Sequence, residues 1–169
     1  MVRRFKAPIT RKGAGFRVNL DADELELLSR LLSELRTLLL GPSTDDRLKR
    51  LFPTAYHQPG DSEMDDEYQR LMREDLVASR LSGINAVEAA LENVGGRPGA
   101  KHVPELTESQ LLAFMQAING LRLVLGTMLD VSEEHDLDQV EADHPLIGEF
   151  HLYGYLSWVL ESCVAALQG

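Results

Sequence analysis

The sequence predicts a mainly α fold: a bundle of about four principal helices preceded by a short N-terminal β-hairpin. Three observations carry that prediction. Apolar residues recur at helical spacing over most of the chain beyond residue 20. Two helix starts bear capping-box sequences, Asp21 with Glu24 and Thr107 with Gln110. The first twenty residues instead hold two short β-prone runs around a glycine-containing turn. A length of 169 residues suits one domain, with a basic hairpin at 1–20 and a helical bundle over 21–169.

Each element has its own warrant. "RRFKAPI" and "GFRVNL" flank "TRKGAG", and Pro8 confines the first run to an edge strand. "DADELELLSRLLSELRTLLLG" opens at Asp21 as N-cap, carries Leu25, Leu28, Leu32, Leu35 and Leu39 at helical spacing, and stops at Gly41-Pro42. "TDDRLKRLFP" reads as a short helix ending before Pro53, and "TAYHQPGD" as a loop. Over residues 62–94, Tyr68, Leu71, Met72, Leu76, Leu81, Ile84, Val87 and Leu91 form one apolar stripe, on one helix or on two broken at Gly83. "GGRPGAKHVP" is a turn-rich linker and the best candidate for a mobile loop. "ESQLLAFMQAINGLRLVLGTML" follows the second capping box; its residues 118–129 are apolar on nearly every side, which suits the central helix. An acidic stretch with a helical turn after Ser132 leads to the last helix, expected to start at Pro145 with His144 before it.

Net charge is −10, unevenly spread. Residues 1–20 hold Arg3, Arg4, Lys6, Arg11, Lys12 and Arg17 and no acid, and after Arg122 there is no Lys or Arg. So acidic a body repels a phosphate backbone, and nucleic acid is not an expected partner. The basic arm is expected to dock on the acidic body of its own or a neighbouring chain. Cys163, the one cysteine, has no partner in the chain and reads as a small core residue, in keeping with a reducing, cytoplasmic location. No run of roughly 18 consecutive apolar residues occurs, and the basic start lacks an apolar signal core, so no membrane association is expected.

No constellation carries recognised chemistry. Phosphate loops, dinucleotide fingerprints and nucleophile elbows are missing, so no catalytic residue and no cofactor is expected. The acids and histidines of 133–151, among them His135, Asp136, Asp138, Asp143, His144 and His151, are chemically able to bind a divalent ion. Their spacing matches no metal motif, and His144 and His151 would stand about 10 Å apart on one helix. Arg122, inside "GLRLVLG", needs a partner if buried, and Glu149 and Glu161 on the last helix are the candidates for a buried ion pair. Alternatively it binds an anion or faces a partner.

"EFHLYGYLSW" gathers aromatic residues on the last helix. At 100° per residue, Leu146, Tyr153, Leu156, Leu160, Cys163, Val164 and Leu167 share its core side, with spacing set by helix geometry. His151, Tyr155, Trp158 and Ser162 fall on the other side, where a bundle helix is normally polar. Three covers are open for this candidate interface: the chain's own hairpin or helices, a second copy in a homodimer, or another protein or ligand.

"DDRLKRLFPTAY", "NGLRLVLGTML" and "FHLYGYLSWVLESCVAAL", in that order behind a start of the type "RRF...GFRVNL", resemble an actinobacterial family of uncharacterised helical proteins. That resemblance implies no activity and no site residues. It does imply a setting: members are commonly encoded beside ClpS, the adaptor of the Clp protease, and some are labelled transcriptional regulators. The function expected is a non-enzymatic interaction or regulatory module, self-associating and linked to Clp-type proteolysis. The alternative is a metal- or ligand-binding protein or enzyme using 133–151; a third is a DNA-binding regulator acting through the basic arm.

Overall fold

Asp21 starts the first helix as its sequence predicts. Its carboxylate accepts from the Glu24 backbone N–H at 2.8 Å, and the Glu24 carboxylate accepts from the Asp21 N–H at 2.9 Å, which satisfies two end donors at once. In the computed structural model, residues 6–42, 44–52, 62–92, 105–131 and 139–169 are described. They form β1 (Ile9–Lys12), β2 (Gly15–Val18), α1 (Ala22–Leu40), α2 (Ser62–Glu92), β3 (Glu105–Leu106), α3 (Glu108–Met128) and α4 (Ile147–Gln168). The fold is mainly α, four helices with a small antiparallel sheet. The 54–61 loop, the 95–104 linker, Pro53 and the turn after Ser132 lie outside the described residues.

The hairpin is tighter than expected. β1 begins after Pro8, and a two-residue turn joins Lys12 to Gly15, with Gly13 at φ +59°, a conformation that glycine adopts without steric cost. Asn19 closes the open end, donating to the Ala7 carbonyl at 2.9 Å and to the Thr10 hydroxyl at 3.0 Å. β3, which the sequence reading did not include, pairs with β2 and gives the order β1-β2-β3. At two residues it is too short to show an alternation. Lys12 holds it from the far strand, bonding Glu105 at 2.8 Å.

α3 occupies the centre, touching α1, α2, α4, the sheet and a 3₁₀ turn at Asp46–Leu48, all that forms of the expected short helix. By length and composition it is the one described helix apolar enough to cross a membrane, and its place at the centre of the bundle accounts for that apolarity. Thr107 and Gln110 cap it reciprocally. Leu28, Leu32, Leu35 and Leu39 of α1, Ile84 and Val87 of α2, Leu111, Phe114 and Ile118 of α3, and Phe16 and Val18 of β2 form one buried core. α2 runs unbroken through Gly83 for 31 residues. Arg36 of α1 ties to it through Asn85 at 2.9 Å and through Glu88.

α4 starts two residues later than the Pro145 expectation, at Ile147. His144 supplies the turn instead: its Nδ1 accepts from the Leu146 N–H and its carbonyl from the Ile147 N–H, both at 3.0 Å. α3 and α4 approach closely at Gly126, where a Cβ would sit 3.0 Å from an Arg50 nitrogen and 3.1 Å from the Tyr153 ring. Replacement Gly126→Ala is expected to lower stability by about 1–3 kcal/mol through overpacking. Gly154→Ala on α4, whose Cβ meets nothing within 4 Å, is expected to raise it by about 0.5–1 kcal/mol. Urea midpoints of the two variants check both signs.

Candidate functional site

The candidate interface on α4 is divided by the structure. Buried on this helix are Phe150, Leu156, Val159, Ser162, Cys163 and Ala166, whereas Leu146 and Val164 of the expected core side are exposed. Its core face is thus rotated by roughly a quarter turn toward the aromatic side. Both α3 and β1 pack on α4. Ser162 goes under cover, its hydroxyl donating to the Val159 carbonyl at 2.7 Å. Tyr155 is half-buried and donates to Glu24 at 3.1 Å. His151 is exposed, and Trp158 keeps 41% of its surface open, its ring 6.2 Å from that of Tyr155.

Glu24 therefore serves two elements, one carboxylate oxygen capping α1 and the other accepting from Tyr155. Burial, then the Glu24 charge and hydrogen bond, raises the Tyr155 pKa well above its ordinary value, so the phenol stays a donor. Burial likewise pushes the Cys163 thiol up to about 12.

Arg122 does not meet Glu149 or Glu161. Its Nε donates to the Ser157 hydroxyl at 2.9 Å and a terminal nitrogen to Asn119 at 3.3 Å, while its guanidinium lies 5.3 Å from the Tyr153 ring centre. Half-exposed, the cation keeps water on one side and needs no buried carboxylate. Glu161 is exposed. Glu149 lines an apolar groove of about 260 Å³ between α1, α3 and α4, with Glu34, Arg47, Leu125, Met128 and Leu152. Among the described residues no three His, Cys, Asp or Glu side chains are close enough to hold a metal ion. His135, Asp136 and Asp138 lie outside them.

The largest departure from the sequence reading is on α2. Its single apolar stripe is only partly covered: Ile84 and Val87 are buried, with Leu81 and Leu91 packed beside them, but Tyr68, Leu71, Met72 and Leu76 are exposed, as is Met64 before them. At 100° per residue, Met64, Tyr68, Leu71 and Met72 project from the side opposite Val77, Ile84 and Leu91. Exposed Glu67, Glu74 and Asp75 accompany them. The signal was present in the phase of the pattern, which drifts across the helix.

A family model for DUF2017, a domain of unknown function, matches residues 3–167. The chain belongs to that family. It is similar to the oxidative stress regulator AosR of Mycobacterium tuberculosis and to the protein of the same name in Mycobacterium bovis. Each is 29% identical over 204 residues, covering 100% of this chain and 89% of the relative. No solved structure matches.

Two outcomes follow from the α4 geometry. Tyr155→Phe is expected to cost about 1 kcal/mol of unfolding free energy, and Glu24→Ala more, since it also removes half of the capping box. For Cys163, the folded chain keeps a proton that the unfolded chain releases at the thiol's ordinary value near 9. Its contribution is full below that pH and is lost as pH rises toward about 12. Urea midpoints across this range are expected to fall more steeply for the wild type than for Cys163→Ala.

Proposed function

We propose that this chain is a non-enzymatic regulatory protein that works by binding another protein through the outer face of α2. The observation that carries this reading is the row Met64, Tyr68, Leu71 and Met72, exposed along the first half of α2. A contiguous exposed apolar row on a helix is the form of a helix-in-groove or helix-on-helix contact. Glu67, Glu74 and Asp75 select the partner: an apolar segment flanked by Lys or Arg. Supporting the regulatory part are the relatives named oxidative stress regulators. Clp-type proteolysis is the setting that the family resemblance suggests for such a contact.

Self-association is a second reading, favoured by Trp158, which stays 41% exposed beside a half-buried Tyr155. With Ser162 buried and Tyr155 half-buried against Glu24, that seam narrows to Trp158 and His151.

The test is complementation under peroxide of a strain lacking the gene. Wild type is expected to restore survival, and Leu71→Glu, with helicity and melting unchanged, to fail; equal rescue by both would overturn the α2 reading. Light scattering over a range of concentrations separates the second reading. A dimer that Trp158→Ala dissociates supports it, and a monomer throughout excludes it.

A further inference from the structure

Of the four described methionines, Met115 packs against the core, whereas Met64, Met72 and Met128 are 77%, 43% and 53% exposed. Met64 and Met72 stand eight residues apart on α2, about 12 Å along one side of the helix, with Tyr68 and Leu71 between them. The chain's one thiol is no competing sensor. Cys163 is buried, held protonated by that burial, and has no second cysteine with which to form a disulfide within the chain.

We propose that Met64 and Met72 are an oxidation site, where a hydroperoxide transfers an oxygen atom to each thioether and turns the α2 stripe from apolar to polar. In each transfer the sulfur lone pair attacks a peroxide oxygen, and the S–O bond forms as the O–O bond breaks. The departing hydroxide collects the proton left on the transferred oxygen. Sulfide is thereby oxidised to sulfoxide, and hydrogen peroxide is reduced to water. A sulfoxide is a strong hydrogen-bond acceptor, so two of them in the row would hold water against any apolar partner. The inference rests on the reading of α2 as the partner-binding face, and it supplies that reading with a signal. Nothing on α2 need unfold, because both side chains already face solvent.

The experiment treats the full chain carrying Met128→Leu, which keeps the α1/α3/α4 groove apolar, with hydrogen peroxide and maps the adducts by peptide mass spectrometry. Sulfoxide is expected at Met64 and Met72 while Met115 and Cys163 remain unmodified and helicity is unchanged. Binding of an apolar fluorescent dye is expected to fall and to recover on treatment with methionine sulfoxide reductase. Oxidation of Cys163 or Met115 first, or conversion of Met64 and Met72 with no change in dye binding, would overturn the proposal. No partner enters this measurement, so it can fail while the Leu71→Glu complementation result stands, and the reverse.

Discussion

The constraint on which the rest of the structure depends is that α3 is apolar on several sides over its second half. Leu121, Leu123, Val124 and Leu125 face several directions, and each must be covered. With an apolar area of that shape, only a surround satisfies the hydrophobic effect. α1 and α2 take one flank, α4 another, and the sheet with the 3₁₀ turn closes what remains. The glycines follow from the same demand: Gly120 and Gly126 are both buried in α3, and at Gly126 a Cβ would sit tightly against the Tyr153 ring.

A single carboxylate then links the periphery. Glu24 closes the start of α1 and receives the Tyr155 hydroxyl from α4, so a local helix signal and a tertiary contact share one side chain. Where this carboxylate joins α1 to α4, the buried face of α4 is turned toward its aromatic side. What could have been a broad seam becomes a narrow one. The exposed apolar surface of the molecule shifts instead to the first half of α2, where nothing among the described residues covers it.

Cation placement follows a common rule. Arg122 lies between α3 and α4 on hydroxyl, amide and ring partners, Arg50 donates to the Val131 carbonyl at 2.8 Å, and Arg36 bridges α1 to α2. Each guanidinium keeps part of its surface in water and uses its flat, many-donor head to tie two segments together. Arg17 and Arg80 depart from it, each with a buried Nε that has no hydrogen-bond partner, and the Arg80 pKa is lowered by burial. The Arg80 guanidinium lies beside Gly120, 3.5 Å from the position a Cβ would take there.

The sequence by itself determined the fold class, both capping boxes, the stop at Gly41, the edge position of β1 and the central place of α3. All of these depend on neighbours within a few residues or on the sheer apolarity of one segment. Only the tertiary structure decided that Glu105–Leu106 would become a strand, that Arg122 would turn to Ser157 rather than to a carboxylate, and which side of α4 would be buried. The reason is physical. Period fixes which residues share a face of a helix, but which face is covered depends on what packs against it, and for α4 that includes a hairpin strand more than a hundred residues away in sequence. On α2 the same limit runs the other way: Tyr68, Leu71 and Met72 belong to an apolar stripe and stand in water because the described elements pack on the other side of the helix, where Arg73 lies over the Phe52 ring.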